Sequence, residues 1–375
     1  MRIIRFVFIG LVCLSLAAFA QRNKKDQEPI TQTLDVPPDP PASLTAQTAR
    51  LTFAVAPMSA KGLLSQQVRD QVKWVLSRYR NDRVIKIRAF VAGSGDMRRV
   101  PSVVSEMFSE RRMALPVMSV VLVGALPMTG AQVQLEITAE GRKAVNPHGL
   151  AFVAGQLVEG EQGSAKPAAL VRESLTRVKT AVEAAGALAS ATRRVTCFLS
   201  GIENGSEIQQ AASALFPQTP FTFVQAQRAY TKPRAECEAV AALSRPPSGS
   251  TVRLNPAGLA PTTRYSHVVA TNAPRLVFAG AQMAFNYTGA DARLAFERLE
   301  KTLASAGSSL KSTVMIDAYP LSPVLAGLVR EAWFEFLDQS APPASTLIVL
   351  EGLPSMDAAF ALEAVALPGD SAQSR

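Results

Sequence analysis

The sequence predicts an α/β protein, of the mixed α+β kind, built from three tandem copies of one β-β-α-β-α-β-β unit. First, a short alternating strand with one central glutamate recurs at residues 134–139, 236–241 and 361–366. Second, an amphipathic helix recurs upstream of each of these strands. Third, a strand that closes on glycine recurs at residues 150–156 and 276–282. Two helices on one face of a mixed sheet is the simplest packing for such a unit.

The remaining elements follow in the same order in every copy. We predict the first helix at residues 64–79, 169–185 and 290–306. Gly186 and Gly307 are predicted to end this helix in the second and third copies. A strand is predicted next at residues 84–91, 192–199 and 313–319, and a second helix at residues 100–108, 205–216 and 323–336. The first copy is the most degenerate, because residues 51–57 only weakly resemble the strand that closes on glycine in the other two copies.

These elements divide the chain into three copies with short connecting segments. We place the copies at residues 44–143, 144–243 and 262–368, with a linker rich in Pro, Gly and Ser at 244–261. Residues 1–20 are typical of a signal peptide, and an uncleaved anchor is the alternative. Residues 21–43 are predicted to be a Pro-rich linker. We therefore expect a periplasmic or secreted protein with no membrane segment after signal cleavage.

The composition indicates a folded protein with a basic surface. Apolar residues make up 48% of the 375 residues, the formal net charge is +9 and the pI is near 9.7. This charge favours acidic surfaces or anionic ligands as partners. Aromatic residues reach only 6%, and the basic residues form no stripe with interleaved aromatic residues. We therefore expect no nucleic-acid partner.

Few residues in the sequence offer metal or redox chemistry. Signal cleavage would leave Cys197 and Cys237, which an oxidising compartment could join as a disulfide. We expect instead that they are buried free thiols in neighbouring strands. The histidines, His148 and His267, lie in different copies, and no metal-ligand spacing is present. The sequence therefore predicts neither a metal site nor a cofactor.

The order of these motifs resembles the Rid family of imine deaminases, also called YjgF-type, RidA-like or L-PSP endoribonuclease-like. In the third copy, Tyr265-Ser266 matches the family's opening motif, and residues 276–282 match its second strand. Pro-Pro-Ala at 342–344 and Gly-Leu-Pro at 352–354 match the signature region, and residues 362–366 match the last strand. Shorter matches in the other copies lie at residues 152–156, 183–186, 126–127 and 135–137.

The resemblance implies a fold and an assembly. Members of the Rid family have a chorismate-mutase-like fold and usually form homotrimers, with ligand clefts between neighbouring subunits. Three linked copies are therefore expected to form a self-contained, intramolecular pseudo-trimer. Linking would raise the effective concentration of each unit for its neighbours.

The resemblance also implies a chemistry and the residues that carry it. In active members an arginine binds the substrate carboxylate, and a last-strand glutamate positions the water that hydrolyses an imine or enamine. The positions that match the arginine hold Met118, Thr222 and Ser345. The positions that match the glutamate hold Glu136, Glu238 and Glu363. These glutamates either position water or make structural hydrogen bonds at a copy interface.

Two hypotheses for function follow. The leading one is an exported Rid-like pseudoenzyme that binds a small anionic or amino-acid-derived ligand, or another protein, because the arginine is missing from all copies. The alternative is a divergent Rid-type deaminase, a hydrolase that combines a retained glutamate with a substitute cation. Arg264 and Arg228 are candidates for that cation, although we expect each of them to be a surface residue instead. Tyr265 is expected to contact ligand or to pack at an interface.

Overall fold

A computed structural model describes residues 37–161, 166–230 and 232–369. The predicted signal peptide and most of the predicted Pro-rich linker lie outside the described residues. Across these ranges, no helix is both long enough and apolar enough to cross a membrane.

The secondary structure of the described residues alternates between strands and helices along the chain. The first part contains a 3-10 turn (Thr48–Arg50), β1 (Ser43–Gln47), β2 (Leu51–Val55), α1 (Leu64–Arg78), β3 (Arg83–Ala92), α2 (Arg99–Glu110), β4 (Val117–Val123) and β5 (Val133–Glu140). The middle part contains β6 (Leu150–Glu159), α3 (Pro167–Ala184), β7 (Ala187–Leu199), α4 (Gly205–Leu215), β8 (Phe221–Gln225) and β9 (Arg234–Leu243). The last part contains β10 (Thr251–Leu254), β11 (Val268–Thr271), β12 (Arg275–Ala279), β13 (Gln282–Phe285), α5 (Gly289–Ser305), β14 (Ser308–Ala318), α6 (Pro323–Phe336), β15 (Ala344–Leu347) and β16 (Ala358–Pro368).

The helix boundaries have local causes. Gly186 and Gly307 adopt positive φ angles of 78° and 70° directly after α3 and α5, which confirms the predicted helix ends. Thr288 and Asp291 form a capping box at the start of α5. At the start of α6, the Ser322 hydroxyl accepts a hydrogen bond from a backbone N–H of the first turn.

The strands of the described residues form three β-sheets. The N-terminal sheet has the order β2-β5-β3-β4. The middle sheet has the order β10-β11-β6-β9-β7-β8. The C-terminal sheet has the order β1-β12-β16-β14-β15, and β13 also pairs with β16. In each sheet the strand with the recurring glutamate, β5, β9 or β16, pairs antiparallel with a strand that has a parallel partner on its other side.

Two strands join sheets formed mainly by other parts of the chain. β1, near the start of the described residues, pairs antiparallel with β12 in the C-terminal sheet. β11 pairs antiparallel with β6 and so extends the middle sheet. The predicted linker 244–261 is partly ordered into β10, which lies beside β11. These pairings tie the two ends of the described chain to each other and to its middle.

Each sheet buries one face against its two helices and the other face against the neighbouring sheets. On β9, Cys237 and Ala239 pack into the core beneath α3 and α4. Val240, on the opposite face, packs with Phe152 of the same sheet and with Phe53 and Phe278 of the other two sheets. Since successive side chains of a strand alternate between faces, Glu236 and Glu238 lie on the face directed towards the other sheets.

The two described cysteines differ from the expectation of free thiols. Cys197 on β7 lies directly opposite Cys237 on β9, and the two form a disulfide. The sequence places both in neighbouring strands, but only their register brings the sulfur atoms together. The bond lies in the apolar core of the middle sheet and its helices.

Candidate functional site

The three recurring glutamates meet in one buried cluster around Arg88. Glu136, Glu238 and Glu363 come from three different sheets, and each is at most 3% exposed. Arg88 donates from Nε to Glu136 at 2.8 Å and from Nη2 to Glu238 at 2.6 Å. Its Nη1 lies 3.5 Å from Glu363. One guanidinium therefore compensates carboxylates from all three sheets, and we call this group the central cluster.

The strand register explains how a single arginine reaches three glutamates. Arg88 lies opposite Glu136, Thr196 lies opposite Glu238, and Asp317 lies opposite Glu363. Arg88, Thr196 and Asp317 therefore occupy equivalent positions in the three sheets, and their side chains differ. Arg88 donates to the Thr196 hydroxyl at 2.9 Å and to Asp317 at 3.1 Å. Three identical residues at this position would bring three like groups together.

Burial and the neighbouring charges shift the carboxyl pKa values of the central cluster in different directions. Burial raises the pKa of Asp317 well above its ordinary value, with a further contribution from the nearby Glu238. Burial opposes ionisation of Glu363, but Lys86 at 3.0 Å and Arg88 outweigh it and lower the pKa to about 2.

Glu136 is held in its charged form in the same way. Burial disfavours its charge, but Arg194 at 3.5 Å and Arg88 outweigh that effect and lower its pKa. Within the described residues, the cluster places four carboxyl groups, those of Glu136, Glu238, Asp317 and Glu363, beside the cations Lys86, Arg88 and Arg194.

The central cluster has no room for a substrate. The cavity that it lines has a volume of about 40 Å³. This volume suits one or two water molecules and is too small for an amino-acid derivative. The three predicted catalytic glutamates are therefore enclosed in this cluster, and none of them lines the larger cavity between the middle and C-terminal sheets.

A larger cavity lies between the middle and C-terminal sheets, and we call it the cleft. Its volume is about 200 Å³. The charged residues of its lining are Arg234, Glu236, Arg264 and Arg330. The rest of its lining is Gly155, Leu157, Tyr265, Trp333, Phe334, Ser345 and Leu347. Two predicted ligand-binding residues, Tyr265 and Ser345, and one proposed substitute cation, Arg264, therefore meet here.

Glu236 is the buried carboxylate of the cleft. It is 7% exposed, and burial raises its pKa to about 7, although Arg234 at 2.8 Å acts in the opposite direction. A carboxyl group with this pKa can both accept and donate a proton near neutral pH.

The backbone beside Glu236 is shaped to admit its carboxylate. Gly155 lies in a β-bulge of β6, between Val153 and Gln156. A Cβ atom at Gly155 would lie 2.4 Å from Oε1 of Glu236, so any larger residue would displace the carboxylate. The Gly155 N–H donates to the hydroxyl of Thr346 at 3.1 Å, which holds this loop against the C-terminal sheet.

The cleft also contains cations that the protein itself does not neutralise. Arg264 stacks over the Phe334 ring at 5.8 Å, and its guanidinium forms no hydrogen bond or ion pair with a described residue. The same holds for the guanidinium of Arg330, which is exposed on α6. Two free guanidinium groups beside one buried carboxyl group make a setting for an anionic ligand.

The other predicted ligand-binding positions lie elsewhere. Met118 is on β4, and its carbonyl oxygen packs against the backbone of Gly280. Thr222 is buried on β8 opposite Thr196, as Ser119 is opposite Arg88. The β8 residue that occupies the same position in its sheet as Met118 is therefore Phe221, one residue before Thr222. Arg228, the second proposed substitute cation, donates from Nε to the Gly124 carbonyl at 3.4 Å and does not line the cleft.

The strand position of Glu236 can be compared among the three described sheets, and a carboxyl group occupies it in one of them. Two residues before the recurring glutamate, β9 holds Glu236, whereas β5 holds Gln134 and β16 holds Ala361. The Gln134 side chain donates to the Ala56 carbonyl at 2.6 Å. Among the three described sheets, the middle sheet is therefore the one that presents a carboxyl group at this position.

Sequence reasoning missed Glu236, Arg234 and Arg330. The family motif matches Glu238 and not Glu236, which lies two residues earlier. A usable signal was present, since residues two apart on a strand share a face. No local signal marks Arg330, because it reaches the cleft from α6, in a different sheet unit from Glu236.

The described residues contain no group of His, Cys, Asp or Glu side chains that could hold a metal ion. His267 instead forms a hydrogen bond through Nε2 with the Ala260 carbonyl at 2.7 Å.

Comparison with known proteins gives structural likenesses only. No protein-family model matches the sequence, and no curated protein matches it. A Rid-family protein of unknown function, YyfB from Yersinia pestis, aligns with 21% identity over 32% of this chain and 99% of its own, with a TM-score of 0.27. RidA from Psychrobacter sp. PAMC 21119 aligns with 18% identity over 24% of this chain and 80% of its own, with a TM-score of 0.23. NMB1025, a YjgF-family protein from Neisseria meningitidis, aligns with 19% identity over 32% of this chain and 96% of its own, with a TM-score of 0.24. The described residues thus form a mixed α+β fold with several sheets, similar in part to solved Rid and YjgF structures.

Proposed function

We propose that this protein is a divergent Rid-type hydrolase that converts imines or enamines of amino acids to keto acids and ammonia in the cleft. The observation that carries the proposal is the pairing of Glu236, whose pKa lies near 7, with the free guanidinium groups of Arg264 and Arg330. The arginine that the family resemblance implies is absent, and these two arginines supply the positive charge from other positions.

The proposed reaction uses Glu236 first as a base and then as an acid. The Glu236 carboxylate accepts a proton from a water molecule as the water oxygen bonds to the imine carbon. The adduct takes this proton back on nitrogen to give the carbinolamine. Glu236 then accepts the hydroxyl proton of the carbinolamine and delivers it to the nitrogen, and the C=O bond forms as the C–N bond breaks and ammonia leaves with the bonding electron pair. The balance is one imine and one water to one keto acid and one ammonia. A pKa near the working pH serves both steps.

The side chains around Glu236 have supporting roles in the proposal. Arg264 binds the substrate carboxylate, and its contact with Phe334 orients the guanidinium at the wall of the cleft. The Tyr265 hydroxyl has no hydrogen-bond partner among the described residues, so it is free to donate to the ligand. The apolar residues of the lining limit bulk water around the reacting carbon.

The proposal includes an assembly and a location. We infer that the three sheets form an intramolecular pseudo-trimer of three Rid-like units, supported by the pairing of β1 with β12 and by the meeting of three glutamates at Arg88. A mature chain that elutes as a monomer in size exclusion with light scattering is expected, and a stable homotrimer would contradict this. Export remains a proposal that rests on the N-terminal sequence, and the disulfide is compatible with it.

The activity is tested with 2-iminopropanoate generated in situ, with pyruvate as the measured product. We expect turnover well above the buffer rate, and a loss of at least about 100-fold in Glu236→Gln, since general acid–base groups contribute 10²–10⁴-fold. Glu297→Gln, an exposed glutamate on α5, is the matched control and should retain full activity.

A second candidate function is ligand binding without turnover. It is favoured by the loss of the family arginine at Ser345 and by the structural role of the three recurring glutamates. Saturable binding of pyruvate that requires Arg264, with imine loss at the buffer rate, would select this function over the hydrolase.

A further inference from the structure

A second compartment adjoins the cleft. It has a volume of about 400 Å³ and shares Arg234, Arg330 and Leu347 with the cleft. Of these two compartments, Arg264 lines the cleft and not the second compartment, whereas Lys232 lines the second compartment and not the cleft. A ligand that fills both compartments would therefore pass from Arg264, beside Arg330, to Lys232.

The boundary between the compartments is a positioned arginine. Arg234 donates to Glu236 at 2.8 Å, and its guanidinium lies over the Tyr230 ring at 5.5 Å. The Tyr230 hydroxyl donates to the Val349 carbonyl at 3.3 Å, which anchors the ring to the C-terminal part of the chain. Arg234 is thus held by the protein itself, and it leaves Arg330 as the free cation that both compartments share.

The two compartments together have an excess of positive charge. Four cationic side chains line them, namely Lys232, Arg234, Arg264 and Arg330. Two carboxylates oppose these cations, namely Glu159 and Glu236. The cationic side chains therefore outnumber the carboxyl groups by two. Among the described residues, Lys232, Arg264 and Arg330 have no ion-pair partner, so this excess is available to a ligand.

We propose that the preferred substrate is the imine of an amino acid with an acidic side chain, that is, a 2-imino dicarboxylic acid. The α-carboxylate binds Arg264, the imine carbon lies beside Glu236, and the distal carboxylate reaches Arg330 and Lys232 in the second compartment. Two separated carboxylates match the two surplus charges. This inference rests on the proposed function, because it assigns a substrate class to the same cleft.

The test compares two imines generated in situ by amino-acid oxidases, with catalase present, from glutamate and from alanine. We expect kcat/KM for the glutamate imine to exceed that for the alanine imine by at least about tenfold, a 1.4 kcal/mol difference in transition-state binding. Lys232→Gln should reduce this ratio several-fold. Lys301→Gln, an exposed lysine on α5 without a described ion-pair partner, should leave the ratio unchanged.

Turnover of both imines with equal kcat/KM, or a ratio insensitive to Lys232→Gln, would overturn the inference and leave the proposed function intact. Failure to hydrolyse either imine above the buffer rate would overturn the proposed function instead. In that case titration calorimetry with 2-oxoglutarate and pyruvate decides the specificity. Tighter binding of 2-oxoglutarate that weakens in Lys232→Gln supports the second compartment as a dicarboxylate site, and equal affinities refute it.

Discussion

Replacing Arg88 with methionine should strongly destabilise the fold, because the side chain compensates carboxylates from three sheets. After the change, Glu363 would keep Lys86 at 3.0 Å, and Glu136 would keep Arg194 at 3.5 Å. Glu238 would have no other cation at ion-pair distance among the described residues. Breaking a buried ion pair by removing one partner costs about 3–5 kcal/mol. We therefore expect the free energy of unfolding to fall by about 3–5 kcal/mol, most of it from Glu238.

Urea denaturation followed by circular dichroism at pH 7 measures this loss. The exposed pair of Arg293 and Glu335 is the matched control, and Arg293→Met should cost much less stability, because solvent screens this pair. Adding Glu238→Gln to Arg88→Met removes the uncompensated charge and should recover a large part of the loss. A loss below about 1 kcal/mol, or no recovery in the double variant, would refute the central cluster as a mutual charge compensation.

Four further predictions concern the cleft and the disulfide. Gly155→Ala should lower imine turnover by at least about tenfold, because its Cβ would lie 2.4 Å from the Glu236 carboxylate. At Gly327 in α6, an added Cβ would meet no atom within 4 Å, and Gly327→Ala should raise the free energy of unfolding by about 0.5–1 kcal/mol in urea denaturation. Burial raises the pKa of Glu236 to about 7, so its ionisation lowers the free energy of unfolding as the pH rises from its unfolded-state pKa to about 7. Glu236→Gln should therefore be more stable than wild type at pH 8, and this difference should vanish towards pH 4. An equal difference at both pH values would contradict the buried carboxyl group. The same pKa predicts that kcat/KM rises through about pH 7 as the base deprotonates. Reduction of the disulfide between Cys197 and Cys237, 40 residues apart, should cost about 4 kcal/mol by the loop-entropy relation, and an unchanged urea midpoint in dithiothreitol would argue against the bond.

Element types were predictable from the sequence because their causes are local. The apolar spacing of Val68, Val72 and Val75 predicts α1, and these residues are fully buried beneath the N-terminal sheet. The positive φ angles of Gly186 and Gly307 confirm helix ends that the sequence marks by glycine alone. The partners of β1 and β11 were not predictable, because strand pairing between distant segments depends on how whole sheets pack.

The sequence by itself determined the recurring strand and its glutamate. Of the four positions that it predicts for ligand binding, Tyr265 and Ser345 line the cleft, whereas Met118 and Thr222 do not. Only the tertiary structure decided what surrounds each carboxylate. Glu236 and Glu238 share one face of β9, yet Glu238 meets Arg88 at the junction of three sheets while Glu236 opens to the cleft. Strand periodicity specifies the face of a residue, but the neighbour across that face comes from segments far away in sequence.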